Sequence, residues 1–150
     1  MIPFSRIAVA SAVVLGSVSI ASAASAAMGG QYLISNTASK PVELAADSHP
    51  SRYRKTPVKV IPALGSGSFQ VVAPNTERVF SGTLIYLENN SKFGCSFTTV
   101  ITYNSRTMKY TFSFSSAKQG GSLSTATCSI TASRNVNTGE FTAYPVIGGF

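Results

Sequence analysis

His49 is the only histidine in this 150-residue chain, and Asp47 stands two residues before it. An imidazole beside a carboxylate is the base half of a Ser-His-Asp relay, and the many serines offer nucleophiles. None of those serines lies in a G-x-S-x-G context. Gly65-Ser66-Gly67 reads as a glycine-rich turn between strands, not as a nucleophile elbow. A secreted ribonuclease pairing His49 with a Glu and an Arg would draw on the same ring. Glycoside hydrolysis needs two carboxyl groups facing one bond, but Glu43, Asp47, Glu77, Glu88 and Glu140 stand singly. Zinc would find two thiols and one imidazole, one ligand short and without close spacing. Met28, Met108 and His49 do not cluster either. The sequence therefore predicts no catalytic residues, no metal and no cofactor, with a small secreted hydrolase using His49 as one alternative.

Binding has richer material. Arg52-Tyr53-Arg54-Lys55-Thr56-Pro57-Val58-Lys59 puts four basic residues and one aromatic within eight positions. Such a run can hold phosphate or an acidic sugar, or it can be a solvated loop before a strand. Arg52, Tyr53, Arg54, Lys55 and Lys59 are the expected binding residues. The chain as a whole carries 12 Lys and Arg against 5 Asp and Glu. That balance favours an anionic membrane surface or glycan as partner. A protein partner (an inhibitor, immunity protein or secretion-system subunit pairing by a sheet edge) fits equally, and no specific nucleic acid is expected. Asn89-Asn90-Ser91 forms a glycosylation sequon, usable only in a host that glycosylates.

The N-terminus says where these groups act. Arg6 precedes an uncharged run from Ile7 to Ile20, then small residues with A-x-A sites ending at Ala23 and Ala26. That order is a secretory signal peptide, and the run is shorter than the roughly 20 residues of a bilayer span. The expectation is a leader over 1–26 and a single domain over 27–150, secreted or periplasmic. Removing Arg6 with the leader leaves eleven basic residues against five acidic ones, a net of +6. The only cysteines, Cys95 and Cys128, are an even pair in an exported chain, which reads as a disulfide.

The elements that position these residues read as strands. Phe93, Cys95, Phe97, Ile101 and Tyr103 share one face at period 2, interrupted only by Thr99. A polar turn at 104–106 leads to a second alternating run with Met108, Tyr110, Phe112 and Phe114 on one face and Thr and Ser on the other. Together they predict an antiparallel hairpin. Ala126, Cys128, Ile130 and Ala132 share a face of a further strand. A last strand follows over 141–147, in which Pro145 suggests an edge. Weaker strand patterns cover 31–35, 42–45, 58–61, 68–72 and 82–88, and 47–56 reads as the longest polar loop. Eight or nine short strands without a 3.6 period predict a single all-β domain, an antiparallel β-sandwich or, alternatively, a small β-barrel, with one disulfide.

Three segments carry a family likeness. Ile34-Ser35-Asn36-Thr37 closes an early strand, and Pro62-Ala63-Leu64-Gly65-Ser66-Gly67-Ser68-Phe69 makes a small-residue turn into a strand. Ser81-Gly82-Thr83-Leu84-Ile85-Tyr86 leads to Cys95-Ser96-Phe97. In these the chain resembles the aegerolysin and actinoporin-like small β-sandwich cytolysins. The resemblance implies binding to a membrane lipid, with a partner for pore formation. That family uses tryptophans at its lipid-facing end. This chain has none, which leaves Tyr53 and the basic loop for that contact.

Overall fold

The computed structural model describes residues 28–49, 53–73 and 77–150. The expected leader, 1–26, and Arg52 lie outside the described residues. Alternation of apolar and polar residues dictates the architecture. One sheet contains β1 (Gly29–Asn36), β3 (Tyr53–Lys55), β5 (Ser66–Val72), β9 (Thr127–Arg134) and β10 (Glu140–Gly148), in the order β3-β5-β1-β10-β9. The other contains β2 (Val42–Asp47), β4 (Val60–Ile61), β6 (Val79–Glu88), β7 (Gly94–Asn104) and β8 (Lys109–Gln119), in the order β4-β2-β6-β7-β8. All pairings are antiparallel except β1 with β10, which run parallel at the centre of the first sheet. The result is an open two-layer sandwich. Among the described residues no helix is long and apolar enough to cross a membrane.

The core lies between the layers. Tyr32, Ile34, Phe69, Val71, Phe141 and Ala143 enter it from the first sheet, and Val42, Phe80, Leu84, Tyr86, Phe97 and Ile101 from the second. Each larger side chain so placed contributes about 1.5–3 kcal/mol relative to exposure. The Cys95–Cys128 disulfide joins β7 to β9 across the layers, with Cα atoms 5.7 Å apart. Buried Asn36 fastens the same end. Its amide nitrogen donates to the carbonyls of Lys40 (2.8 Å) and Pro62 (2.9 Å), and its carbonyl accepts the Ala38 N–H (3.1 Å). The β1–β2 and β4–β5 connections are thereby held together.

Three local expectations need correction. Tyr53–Lys55, within the expected loop, is an edge strand on β5, with a bulge between Tyr53 and Lys55. Pro145 is not on an edge, because β10 is flanked by β1 and β9. The β1–β10 register instead skips Tyr144 and Pro145, where proline has no N–H to give. Met108 does not join the packed face of Tyr110. The Asn104 side-chain oxygen accepts the N–H groups of Arg106 (2.9 Å) and Thr107 (3.2 Å), so the turn extends to Met108 at φ 52.

The disulfide closes a loop of sequence separation 33. Replacing both cysteines (Cys95→Ala with Cys128→Ala) should remove about 3–4 kcal/mol of unfolding free energy, read from urea titration of β-sheet circular dichroism. A variant as stable as the parent would show that the bridge adds nothing to the layered fold.

Candidate functional site

Asp47 ends β2, and the turn after it folds His49 into the interior. One Asp47 carboxylate oxygen accepts both the His49 backbone N–H (3.0 Å) and the ring Nδ1–H (2.9 Å). Its other oxygen accepts the Tyr53 hydroxyl. On the far side of the ring, Nε2 lies 3.0 Å from the Tyr32 hydroxyl. A carboxylate only accepts, so the network assigns the proton to Nδ1 and makes Nε2 the acceptor from Tyr32. Tyr53 and Tyr32 belong to the first sheet and Asp47 to the second, so this chain of hydrogen bonds stitches the layers.

The His49 side chain is 0% exposed. Its ring packs edge-on to Tyr32 (5.3 Å) and Phe69 (5.7 Å) and tilted against Phe80 (5.7 Å). Gly82 makes room for it, since a Cβ there would lie 2.1 Å from the ring Cδ2. Burial lowers the His49 pKa, and the hydrogen bond and charge of Asp47 oppose that only in part. Burial likewise raises the Tyr32 hydroxyl's pKa. The Thr99 hydroxyl, buried beside it, makes no hydrogen bond of ordinary geometry. With both ring nitrogens hydrogen-bonded and its side chain buried among the described residues, His49 reads as a structural residue.

The exposed chemistry lies at one end of the sandwich, opposite the disulfide. The β7–β8 and β9–β10 turns meet there, the Tyr110 N–H donating to the Val136 carbonyl (2.7 Å). The start of β1 joins them through Gly29 N–H to Gly139 O (3.4 Å), and the approach to β6 through Tyr103 N–H to Arg78 O (2.8 Å). Met108 (71% exposed), Val79 (53%) and Val136 (39%) stand out from this end. Arg78, Arg106, Lys109 and Arg134 are exposed around them, and Glu77 and Glu140 are the acids nearby in sequence. The Tyr103 and Tyr110 rings lie 4.9 Å apart beneath the tip. On the first sheet, beside this end, a depression of about 560 Å³ runs across the strands, with Arg54 and Arg134 contributed by its two edge strands.

The basic segment singled out in the sequence is thus divided. Tyr53 turns inward, its ring 6.2 Å from Phe69. Arg54 lines the depression, and Lys55 donates to the Ser68 hydroxyl at 2.6 Å. Lys59 lies next to the other sheet, its carbonyl accepting the Leu44 N–H. Sequence reasoning missed Arg78, Arg106, Lys109 and Arg134, which are isolated in the chain. The available signal was an apolar residue in each of two polar turns, Met108 and Val136.

No protein-family model matches this chain, and no curated protein matches it. Solved structures that share its fold include the following two. One is the lipid binding protein Nakanori, at 12% identity and TM-score 0.50, covering 81% of this chain and 70% of that one. The other is IP-1A from Alcaligenes faecalis, at 8% identity and TM-score 0.52, covering 83% of this chain and 93% of that one. This chain shares its fold with these small β proteins.

A lowered His49 pKa fixes the sign of a pH effect. The unfolded chain takes up the proton near pH 6.5, and the folded protein does so only at lower pH. Stability should therefore be level above about pH 6.5 and decline as pH falls below it, with the decline from this residue absent in His49→Gln. Equal pH slopes in the two proteins would contradict the buried neutral ring. Gly82→Ala should destabilise by about 1–3 kcal/mol through overpacking, measured by thermal and urea unfolding.

Proposed function

We propose that this protein is an exported, non-enzymatic module that binds a membrane lipid surface with the end of the sandwich formed by the β7–β8 and β9–β10 turns. The observation that carries this reading is the exposure of Met108 and Val136 at one end, where the β8 residue Tyr110 donates its N–H to the Val136 carbonyl and Arg78, Arg106, Lys109 and Arg134 are also exposed. Apolar tips sink into the boundary between headgroups and acyl chains and contribute about 25 cal/mol per Å² buried. Each basic residue near an anionic leaflet adds roughly 1 kcal/mol. Tyr103 and Tyr110 suit a depth where one end of a ring is apolar and the other wet. In this chain without tryptophan they and Met108 take the aromatic and apolar role.

Arg54 and Lys55 extend the cationic surface along the first sheet, Arg52 and Lys59 add charge from the same segment, and Tyr53 braces its strand. The leader pattern and the disulfide support an oxidising, extracytoplasmic compartment. The shared fold with a protein described as lipid binding supports the same reading.

Co-sedimentation with vesicles tests it. Binding should persist at physiological salt, and Met108→Ser with Val136→Ser should weaken it at least tenfold, given ~1.5–3 kcal/mol per buried apolar side chain. Leu64→Ser with Leu123→Ser, exposed at the opposite end, should leave it unchanged. The reverse pattern would move the contact to that end, and no binding to any vesicle would reject the reading.

A further inference from the structure

We infer that the depression on the first sheet is a binding site for a phosphorylated polyol. The inference deepens the membrane reading and rests on it only for the source of the phosphate. The site exists because β1 opens with Gly29 at the middle of the sheet, where no side chain can rise; Gly30, whose Cβ would meet the buried Phe141 ring, belongs to the core side. A Cβ on Gly29 would lie 2.8 Å from the Val71 carbonyl oxygen, so a larger residue there is resisted by backbone. Gln31, Gln70 and Thr142 line the trough from the three central strands, and Arg54 and Arg134 close it from the edges.

The chemistry of those groups selects the ligand. Neither Arg54 nor Arg134 has an ion pair among the described residues. Glu140, the one acid on the rim, accepts the Thr138 hydroxyl at 3.0 Å. Unpaired guanidinium forks match phosphate oxygens in pairs of parallel hydrogen bonds. The remaining walls are amides and hydroxyls, which pair with ligand hydroxyls. A quaternary ammonium head would instead call for a cage of aromatic faces, and among the described residues of the lining the only ring is the buried Phe141. A volume of about 560 Å³ exceeds a bare phosphate and is within the range of small-molecule sites. The position beside the apolar tip would bring a headgroup into the trough when the tip enters a bilayer.

The probes are myo-inositol 1-phosphate, phosphocholine and inorganic phosphate, titrated calorimetrically into the purified oxidised protein. Vesicles of phosphatidylcholine with and without phosphatidylinositol form a second arm. Inositol 1-phosphate should bind more tightly than the other two probes. Arg54→Ser with Arg134→Ser should weaken it at least tenfold with unchanged melting temperature, and the paired Arg→Lys variant should fall between. Met108→Ser with Val136→Ser should retain the soluble probe while losing vesicles. Vesicle binding with no binding of inositol 1-phosphate, or with binding indifferent to both arginines, overturns the site and leaves the membrane reading standing. Equal affinity for phosphocholine overturns the polyol assignment. Soluble binding without vesicle binding upholds the site with a free phosphorylated polyol as ligand and rejects the membrane reading.

Discussion

The Tyr53–Asp47–His49–Tyr32 chain is the constraint on which the rest of this structure depends. It runs from one sheet to the other and back, and its His49–Tyr32 link is buried, where an unmade hydrogen bond is costly. Its geometry therefore sets how far apart the layers stand at that end. Gly82 must be small for the ring to fit, and Phe69 and Phe80 must flank it. At the other end the distance is set by a covalent bridge and by Asn36. The two ends are held by different chemistry, and the hydrogen-bonded one includes an imidazole whose pKa burial lowers.

The same chain decides how the surface is presented. β3 is three residues long and lies at a sheet edge, a strand too short to hold itself. Tyr53 anchors it inward through Asp47 and Phe69, which turns Arg54 towards the depression on the outer face. An interior polar network and an exterior cationic rim are thus two sides of one short strand. Tyr53, which reads in the sequence as an aromatic of the basic loop, also packs its ring against Phe69.

Much of the architecture was legible in period 2. The inward faces of β7 and most of β8 follow directly from Phe93 to Phe114, and placing Cys95 and Cys128 on apolar faces already implied a buried bridge. Three things were not legible, each for a physical reason. Tyr-Arg-Lys alternates no more clearly than a solvated loop does, so β3 is visible only once β5 offers it an edge. Pro145 argues locally for an edge, but a strand can keep an interior place if one neighbour's ladder skips that residue. The cationic end joins Arg78, Arg106, Lys109 and Arg134, residues brought together by strand order, and strand order is not written in local periodicity. His49, read from the sequence as one catalytic alternative, is committed to packing between Tyr32, Phe69 and Phe80.

The parallel pairing of β1 with β10 has a consequence for how the chain acquires its fold. The centre of the first sheet is made from segments more than a hundred residues apart. Until Glu140–Gly148 is available, β1 has an unpaired edge and the trough has no second wall. Such contacts have high contact order, and closing so long a loop comes before the contacts that reward it. A growing chain therefore leaves β1 without its parallel partner until Glu140–Gly148 has been made.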